Sequence, residues 1–522
     1  MSSILITEEI AQSGIDILKN AGFEVDIKLK LSKEELLKAI KGKSALIIRS
    51  ATNVDKDVIE ASDHLVVIGR AGIGLDNVDV AAATKKGIMV VNAPESNIIS
   101  AAEHTIGLML AQARNIPKAH ESLISGKWER SKFEGVELHG KTLGIIGLGR
   151  VGALVAQRGH AFGMRLVAYD PYISKERAKM MNVEMLDLKE LMSQSDFITI
   201  HLPKTPETIG LINAEVLNLA KPTVRIVNTA RGGIIDEKAL YDFLVEHPLA
   251  GAALDVFSKE PPEFKELLTL DNIVVTPHLG ASTKEAQDKA GVTIAQQILL
   301  ALKGDFVPYA VNVAAKSISA EVKPFMGLAE TLGFIFSSLC QSLPSNISIF
   351  YQGEISKEDT SILTLAVIKG VFSVGAEEQI SYVNAPQLAQ QRGLQINEVT
   401  TSSSGDYVSL ITLQSDKHSI AGTLVGPLKI PRIVMIDEHS VEIGISDHML
   451  VVRNDDRPGM IGVVGSVLGK AGISISSMAV GPSKSHPTAM MVLSTDEEVQ
   501  DSVINELKSC DGILSVHKIE KR

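Results

Sequence analysis

One stretch constrains this chain more than any other: Thr142-Leu-Gly-Ile-Ile-Gly147-Leu-Gly149-Arg150-Val151-Gly152. It reads as a short apolar strand, a glycine-rich turn and the start of a helix, and Val167-Ala-Tyr-Asp170-Pro supplies a second strand ending in a carboxylate. A dinucleotide fingerprint is meaningful only in that strand–turn–helix context, and here the context is complete. Gly147 permits the tight turn, Gly149 lets the main chain approach a pyrophosphate, and Gly152 allows close packing of helix on strand. The helix start offers free N–H groups and a positive dipole end to the phosphates. Asp170, about 20 residues on, is placed to accept hydrogen bonds from a ribose diol, and its charge repels a 2′-phosphate, which selects NAD over NADP.

Composition narrows the rest. A chain of 522 residues divides into three or four domains at about 100–200 residues each. The net charge of −11 disfavours non-specific binding to nucleic acid or an anionic membrane. The only cysteines, Cys340 and Cys510, lie far apart and make neither a disulfide framework nor a metal site. The N-terminal residues lack a basic region followed by an apolar core, and no apolar run approaches the roughly 20 residues that span a bilayer. The expectation is a soluble, cytoplasmic protein without metal.

Along the chain, apolar runs bounded by turn signals predict buried parallel strands at Ile4–Ile6, Ala45–Arg49, Val66–Gly69 and Met89–Asn92, with helices at Glu8–Asn20 and Lys33–Ile40. A long apolar helix, Ile98 to Asn115, leads into a second alternating unit with strands at Phe197–Leu202, Val224–Asn228, Ala252–Val256 and Ile273–Thr276. Such βαβ series fold as doubly wound sheets, with ligands beyond the carboxyl ends of the strands. Helix 282–303 can return to the first unit and make it discontinuous. Residues 316–440 mix an apolar helix (Val322–Leu343), strands and loops, with a turn or loop at 400–404. Residues 448–522 read as βαββαβ, a ferredoxin-like arrangement, with helices Met460–Lys470 and Glu497–Lys508.

The strand ends carry the chemistry. Arg49 and Arg70 fall at two of them, and Arg70-Ala-Gly72-Ile-Gly adds exposed N–H groups. Alone, either arginine is an ordinary solvated charge; together with the turn they form an anion pocket. In the second unit, Arg231 before two glycines can clamp a carboxylate and polarise the neighbouring carbonyl. His278 can exchange the hydroxyl proton, and Glu260 can fix its tautomer. Taken singly, His278 is equally a strand-terminal packing residue and Glu260 a surface-loop acid. With a nicotinamide cofactor, the three suffice for hydride transfer at an α-hydroxy acid.

In combination the motifs resemble one family. Arg70-Ala-Gly-Ile-Gly-Leu-Asp-Asn-Val-Asp79, Gly147 to Gly152, Asn228-Thr-Ala-Arg-Gly-Gly-Ile-Ile-Asp236, Leu254-Asp-Val-Phe257 with Glu260-Pro, and Pro277-His-Leu-Gly-Ala-Ser-Thr283 are similar to those of D-isomer-specific 2-hydroxyacid dehydrogenases, in a long form. The resemblance covers about the first 300 residues. It implies that Arg231, Glu260 and His278 are catalytic. It also implies that Ile73, Arg150, Val151, Asp170, Leu202, Ala230, Asp255 and the backbone from His278 to Gly280 contact NAD. Arg49, Ser50, Arg70, Gly72, Ile73, Asn97 and Arg231 would hold the substrate. The implied reaction is oxidation of 3-phosphoglycerate, feeding serine biosynthesis. The alternatives are another D-2-hydroxy acid (glyoxylate, hydroxypyruvate or 2-oxoglutarate chemistry) or a non-catalytic NAD-sensing corepressor. Ser96 stands where the family commonly has glycine.

The tail, Val451-Val-Arg-Asn454-Asp-Asp456-Arg457-Pro-Gly459 with Gly472-Ile-Ser474, resembles an ACT domain. That implies L-serine as an effector at Asn454, Asp456 and Ser474, the last replacing an asparagine of serine-regulated relatives; an oligomerisation module without ligand is the alternative. The expected architecture is therefore α/β: a discontinuous flavodoxin-like substrate domain (1–97 and 284–312), a Rossmann-type cofactor domain (98–283), an α+β intervening domain (316–440) and a ferredoxin-like ACT domain (446–522), in a homodimer or homotetramer.

Overall fold

Strands buried on both faces dictate the first half of the structure, because a parallel sheet of that kind is stable only between two layers of helices. The computed structural model describes residues 3–313, 318–340, 342–374, 380–483 and 485–520. The expected segment ends at 1–2, 316–317 and 521–522, and residue 341 of the expected helix Val322–Leu343, lie outside them.

The first sheet contains β1 (Ser3–Ile6), β2 (Glu24–Ile27), β3 (Ala45–Ile48), β4 (Val67–Arg70) and β5 (Met89–Val91). They run parallel in the order β2-β1-β3-β4-β5, the flavodoxin-like winding whose switch point lies between β1 and β3. Strand alternation sorts the core into two layers. Ile4, Ile6, Ile47, Val67 and Val91 face one side, where helix Lys284–Leu302 packs through Ile294 and Ile298 beside helix Gln12–Asn20. Leu5, Leu46, Ile48, Ile68 and Val90 face the other.

The second sheet contains β6 (Thr142–Ile146), β7 (Arg165–Tyr169), β8 (Glu184–Met185), β9 (Phe197–Ile200), β10 (Arg225–Asn228), β11 (Gly251–Leu254) and β12 (Ile273–Val275). Its order is β12-β11-β10-β9-β6-β7-β8, the dinucleotide-binding winding extended by one strand, with the switch point between β6 and β9. Helix Ile98–Ala113 ends where Asn115 takes a left-handed conformation before Pro117.

The third sheet contains β13 (Asn346–Gly353), β14 (Gln395–Thr401), β15 (Ser409–Gln414), β16 (Ser419–Val425), β17 (Ile430–Ile436) and β18 (His439–Gly444). Only β13 and β14 pair in parallel; the other neighbours are antiparallel. The fourth contains β19 (His448–Asp455), β20 (Ile475–Pro482), β21 (Thr488–Thr495) and β22 (Ile513–Glu520), in the order β20-β21-β19-β22. That is the ferredoxin-like arrangement. Alternation on the fourth sheet has a result the sequence did not suggest. Leu450, Val452, Met491 and Leu493 pack under its own two helices. Met449, Val451, Met490, Val492 and Ile519 instead join the core built on helix Met326–Leu339 beneath the third sheet.

Strand ends differ from expectation by at most two residues. The larger differences have physical causes. β2 escaped notice because it is a half-exposed edge strand with no apolar run. The helix expected from Glu8 starts at Gln12, because the Glu8 carboxylate is bonded to the loop after β3. The helix expected over Val322–Leu343 is a 3₁₀ turn, Lys323–Phe325, followed by Met326–Leu339; Pro324 sits in the opening turn, where its missing N–H leaves no bond unmade. The helix expected from Glu497 begins at Asp501.

Phe336 is fully buried in the shared core. Phe336→Ala should cost about 3–5 kcal/mol, and hydrogen exchange should quicken in β22 as well as in β16. Exchange confined to β16 would mean two independent cores.

Candidate active site

Both switch points open toward one cleft, and the turns at the strand ends fill it. After β6, Gly147 has φ +95°, and a Cβ there would lie 2.8 Å from the His201 carbonyl. A Cβ on Gly152 would meet the Gly147 oxygen at 2.1 Å, so helix Arg150–Ala161 can approach the strand only with glycine present. At Gly149 the space beyond the backbone is open. Asp170 holds the turn from the next strand: its Oδ2 accepts the Leu148 N–H at 2.8 Å and its Oδ1 the Tyr172 N–H at 2.9 Å. An open glycine rim, a free helix start and an acid at the second strand end fit a dinucleotide. Val151 and Leu202 are partly buried apolar flanks of the turn, and Ala230 lies beyond β10. Arg150 is exposed and reaches across to Glu95 at 3.4 Å.

His278 follows β12 with φ +57°. Its Nδ1 lies 2.7 Å from Glu260 Oε2, and Phe257 N–H donates to Glu260 Oε1 at 3.2 Å. Burial pulls the Glu260 carboxyl upward, but the hydrogen bond and charge of His278, with the Phe257 N–H, hold it below its ordinary value. The Nδ1–Glu260 bond leaves Nε2 as the ring's working nitrogen. His201, just beyond β9, is different in kind. Burial pushes it down to about 3, its Nε2 bonds Thr199 Oγ1 at 2.9 Å, and it stays neutral.

The loop bearing His278 is held by Asp255, which is wholly buried. Asp255 Oδ1 accepts Thr276 Oγ1–H at 2.6 Å and Leu279 N–H at 2.7 Å, and Oδ2 accepts Gly280 N–H at 2.8 Å. His104 Nε2 approaches the same carboxylate at 3.2 Å. Burial raises its pKa, and the four contacts together lower it further than burial raises it. Asp255 and Gly280, read from the resemblance as cofactor contacts, are here bonded to each other.

Arg231 sits on the turn after β10, with Gly232 pressed so close to the Phe257 carbonyl that a Cβ would overlap it at 1.7 Å. Its guanidinium crosses the cleft to Asp76, at 3.4 Å from Nε. In the first unit, Arg49, Gly72 and Asn97 line one small cavity with Glu9, Ser96 and the start of helix Lys284–Leu302. Arg70 lies behind Gly72. Burial lowers its pKa, and the nearby Arg231 charge lowers it further. Arg70 Nε and Asn97 Oδ1 are buried without a partner, and buried polar atoms in proteins are rarely left so. Ile73 gives its carbonyl to Asn92 Nδ2 at 2.7 Å. Ser96 is buried and bonds the Ala93 carbonyl at 2.9 Å, so the side chain that replaces glycine is absorbed locally. Ser50 is exposed and does not line the cavity.

Sequence reasoning assigned no site role to Glu8, Asp76, Thr276 or His104. Glu8 and Thr276 had a usable signal, since they lie two residues and one residue beyond the end of a parallel strand. In the fourth sheet, Asn454 is buried with its Oδ1 unpartnered, while Asp456 and Ser474 are exposed. β19 and β20 both run antiparallel to β21, so Asn454 and Asp456 lie at one end of the sheet and Ser474 at the other. No group of residues that could hold a metal occurs among the described residues, and no helix among them is long and apolar enough to cross a membrane.

Glu260 gives a test of the pairing. A carboxyl whose pKa falls on folding adds stability above its unfolded value, lost as pH falls through the folded one. The thermal stability difference between wild type and Glu260→Gln should therefore shrink as the pH falls below 4.5, the ordinary value. A difference that grows on acidification would contradict the pairing.

Comparison with known proteins follows the same division. Residues 106–280 match the family described as D-isomer specific 2-hydroxyacid dehydrogenase, NAD binding domain. Residues 321–437 match the D-3-phosphoglycerate dehydrogenase intervening domain, and 448–512 the ACT domain. The D-3-phosphoglycerate dehydrogenase of Methanocaldococcus jannaschii is 45% identical over 99% of both chains. That of Mycobacterium leprae is 42% identical over 99% of this chain and 98% of its own. The NAD⁺-bound 3-phosphoglycerate dehydrogenase of Entamoeba histolytica superposes on 60% of this chain and 98% of its own, with a TM-score of 0.52 and 31% identity.

Proposed function

We propose a function from one premise: the chain belongs to the D-3-phosphoglycerate dehydrogenase family, within the D-isomer-specific 2-hydroxyacid dehydrogenases. It oxidises 3-phospho-D-glycerate to 3-phosphohydroxypyruvate with NAD, the first step of L-serine biosynthesis. The observation that carries the substrate is the cavity shared by Arg49, Gly72 and Asn97, with the unpartnered Arg70 Nε behind it. A phosphorylated acid carries two anionic ends, and the cleft offers arginines on both sides.

The residues divide the work. Arg231 clamps the carboxylate and polarises the carbon–oxygen bond beside it. Arg49 and Asn97 hold the phosphate. His278 takes the hydroxyl proton on Nε2 while Nδ1–H stays on Glu260, whose ionised carboxylate stabilises the imidazolium that results. Asp255 keeps the His278 loop in place. Gly147, Gly149 and Gly152 cradle the dinucleotide's pyrophosphate, and Asp170 takes the ribose diol in exchange for the Leu148 N–H. When bound, the nicotinamide supplies the hydride acceptor.

L-serine is the effector best supported at the fourth sheet. Asn454 and Asp456 lie at the opposite end from Ser474, so a site using all three takes them from two chains. Ile116, Leu123 and Ile124 on helix Ile116–Ile124, with Trp128, are exposed, and such an apolar surface supports pairing of two copies through the cofactor domain. The scarcity of cysteine supports a cytoplasmic setting.

Nicotinamide reduction with 3-phosphoglycerate against unphosphorylated glycerate tests the substrate: the phosphorylated acid should win by at least about 100-fold in kcat/KM, and parity would reject it. His278→Ala should cut kcat by about 100-fold or more while NAD binding, followed by fluorescence, changes little; near-normal turnover would remove His278 from proton transfer. L-serine should inhibit the full chain, and Asp456→Ala should raise the inhibitory concentration about tenfold or more. Insensitivity of the unaltered chain would remove the effector reading.

A further inference from the structure

We propose that Glu8 is a positioning residue for phosphate specificity: its carboxylate builds the loop that presents Arg49. The inference rests on the assignment of Arg49 to the substrate's phosphate.

Glu8 follows β1 and Arg49 follows β3, on the two sides of the first sheet's switch point, where a doubly wound fold binds its ligand. The N–H groups of Arg49, Ala51 and Thr52 converge there, an arrangement that attracts an anion. Glu8 fills it from within. Its Oε1 accepts Arg49 N–H at 2.8 Å and Thr52 N–H at 2.9 Å, and its Oε2 accepts Ala51 N–H at 3.1 Å. Asn77 Nδ2 grips the same loop from its carbonyl side, donating to Arg49 O at 2.7 Å and Thr52 O at 2.6 Å. The hydroxyls of Thr7 and Thr52 lie 2.9 Å apart. The Glu8 and Asn77 contacts all fix main chain, and the Arg49 side chain is the part left to reach the cavity, with one guanidinium N–H on the Glu9 carbonyl at 3.3 Å.

Two consequences follow. The N–H groups of Arg49, Ala51 and Thr52 are spent on Glu8, so what they leave this loop to offer the phosphate is the Arg49 side chain. The Glu8 charge also favours the ionised Arg70, against the opposing charges of Arg231 and Arg49. Glutamine keeps one oxygen of the two and turns an NH₂ toward N–H donors, so Glu8→Gln loosens the loop at nearly constant size. Glu8→Asp keeps the charge but is one methylene too short to reach all three donors.

The test is steady-state NADH formation by the full chain with 3-phosphoglycerate and with glycerate. Glu8→Gln should raise KM for 3-phosphoglycerate about tenfold or more, with kcat changed about twofold at most and kcat/KM for glycerate similarly little affected. The ratio of the two substrates should fall accordingly, with Glu8→Asp intermediate. Arg49→Ala is the reference. If Arg49→Ala loses the ratio but Glu8→Gln and Glu8→Asp keep it, Glu8 does not position the loop and the proposed substrate stands. Equal loss of both substrates in the Glu8 variants would show a general structural role and would equally overturn it. If Arg49→Ala also keeps the ratio, the phosphate assignment and this proposal fall together.

Discussion

A single buried carboxylate holds the chemistry in place. Asp255 has no exposed surface, and an ionised carboxylate there is tolerable only if its lone pairs are filled. They are filled by Thr276, by two successive N–H groups of the turn after β12, and by His104. Meeting that requirement folds the turn back on β11. The fold-back sets His278 at positive φ, an uncommon conformation for a side chain with a Cβ, and aims Nδ1 at Glu260. The His278 ring is therefore placed by the electrostatics of a residue that has no free oxygen to offer a ligand.

The same logic governs the charges facing the cleft. Arg49, Arg70 and Arg231 repel one another, and a chain of net charge −11 does not need them for solubility. Glu8 and Asp76 moderate the cluster from the protein side. Neither is buried with an arginine as a closed pair: the Asp76 contact is 3.4 Å and half solvated. What remains is a positive field with the Arg70 Nε–H buried and unpaired, a state that an entering anion improves.

What was legible in the sequence followed from rules of period and position. Parallel strands announce themselves as apolar runs, and the polar residues just beyond their carboxyl ends mark the cleft, which is how Arg231 and His278 could be read together. β2 could not be read that way, since an edge strand buries too little to need an apolar run. Glu8 looked like the first turn of a helix because a glutamate before an amphipathic stretch favours that reading; its actual partners lie 41 to 44 residues away. The shared core was hidden for a related reason. Alternation in β19 and β21 shows that both faces are apolar, but not what covers the second face.

That covered face has a mechanical meaning. Because Met449, Val451 and Val492 lie in the core of helix Met326–Leu339, the ACT sheet cannot shift without disturbing the intervening domain. That domain in turn touches the substrate unit through a narrow joint. Ser381 Oγ–H donates to the Gly87 carbonyl at 2.9 Å, and Val383 enters the first sheet's core. Gly87 leads directly into β5, and β5 leads into Asn92, Ser96 and Asn97 at the cavity wall. Contiguity becomes coupling only where an element on the line has two arrangements. The well-packed core is the least suited to that, since close packing resists partial displacement. The joint at Ser381, with Val383 and Val313 packed beside it, meets the amino end of β5, and the cavity wall begins beyond the carboxyl end of the same strand.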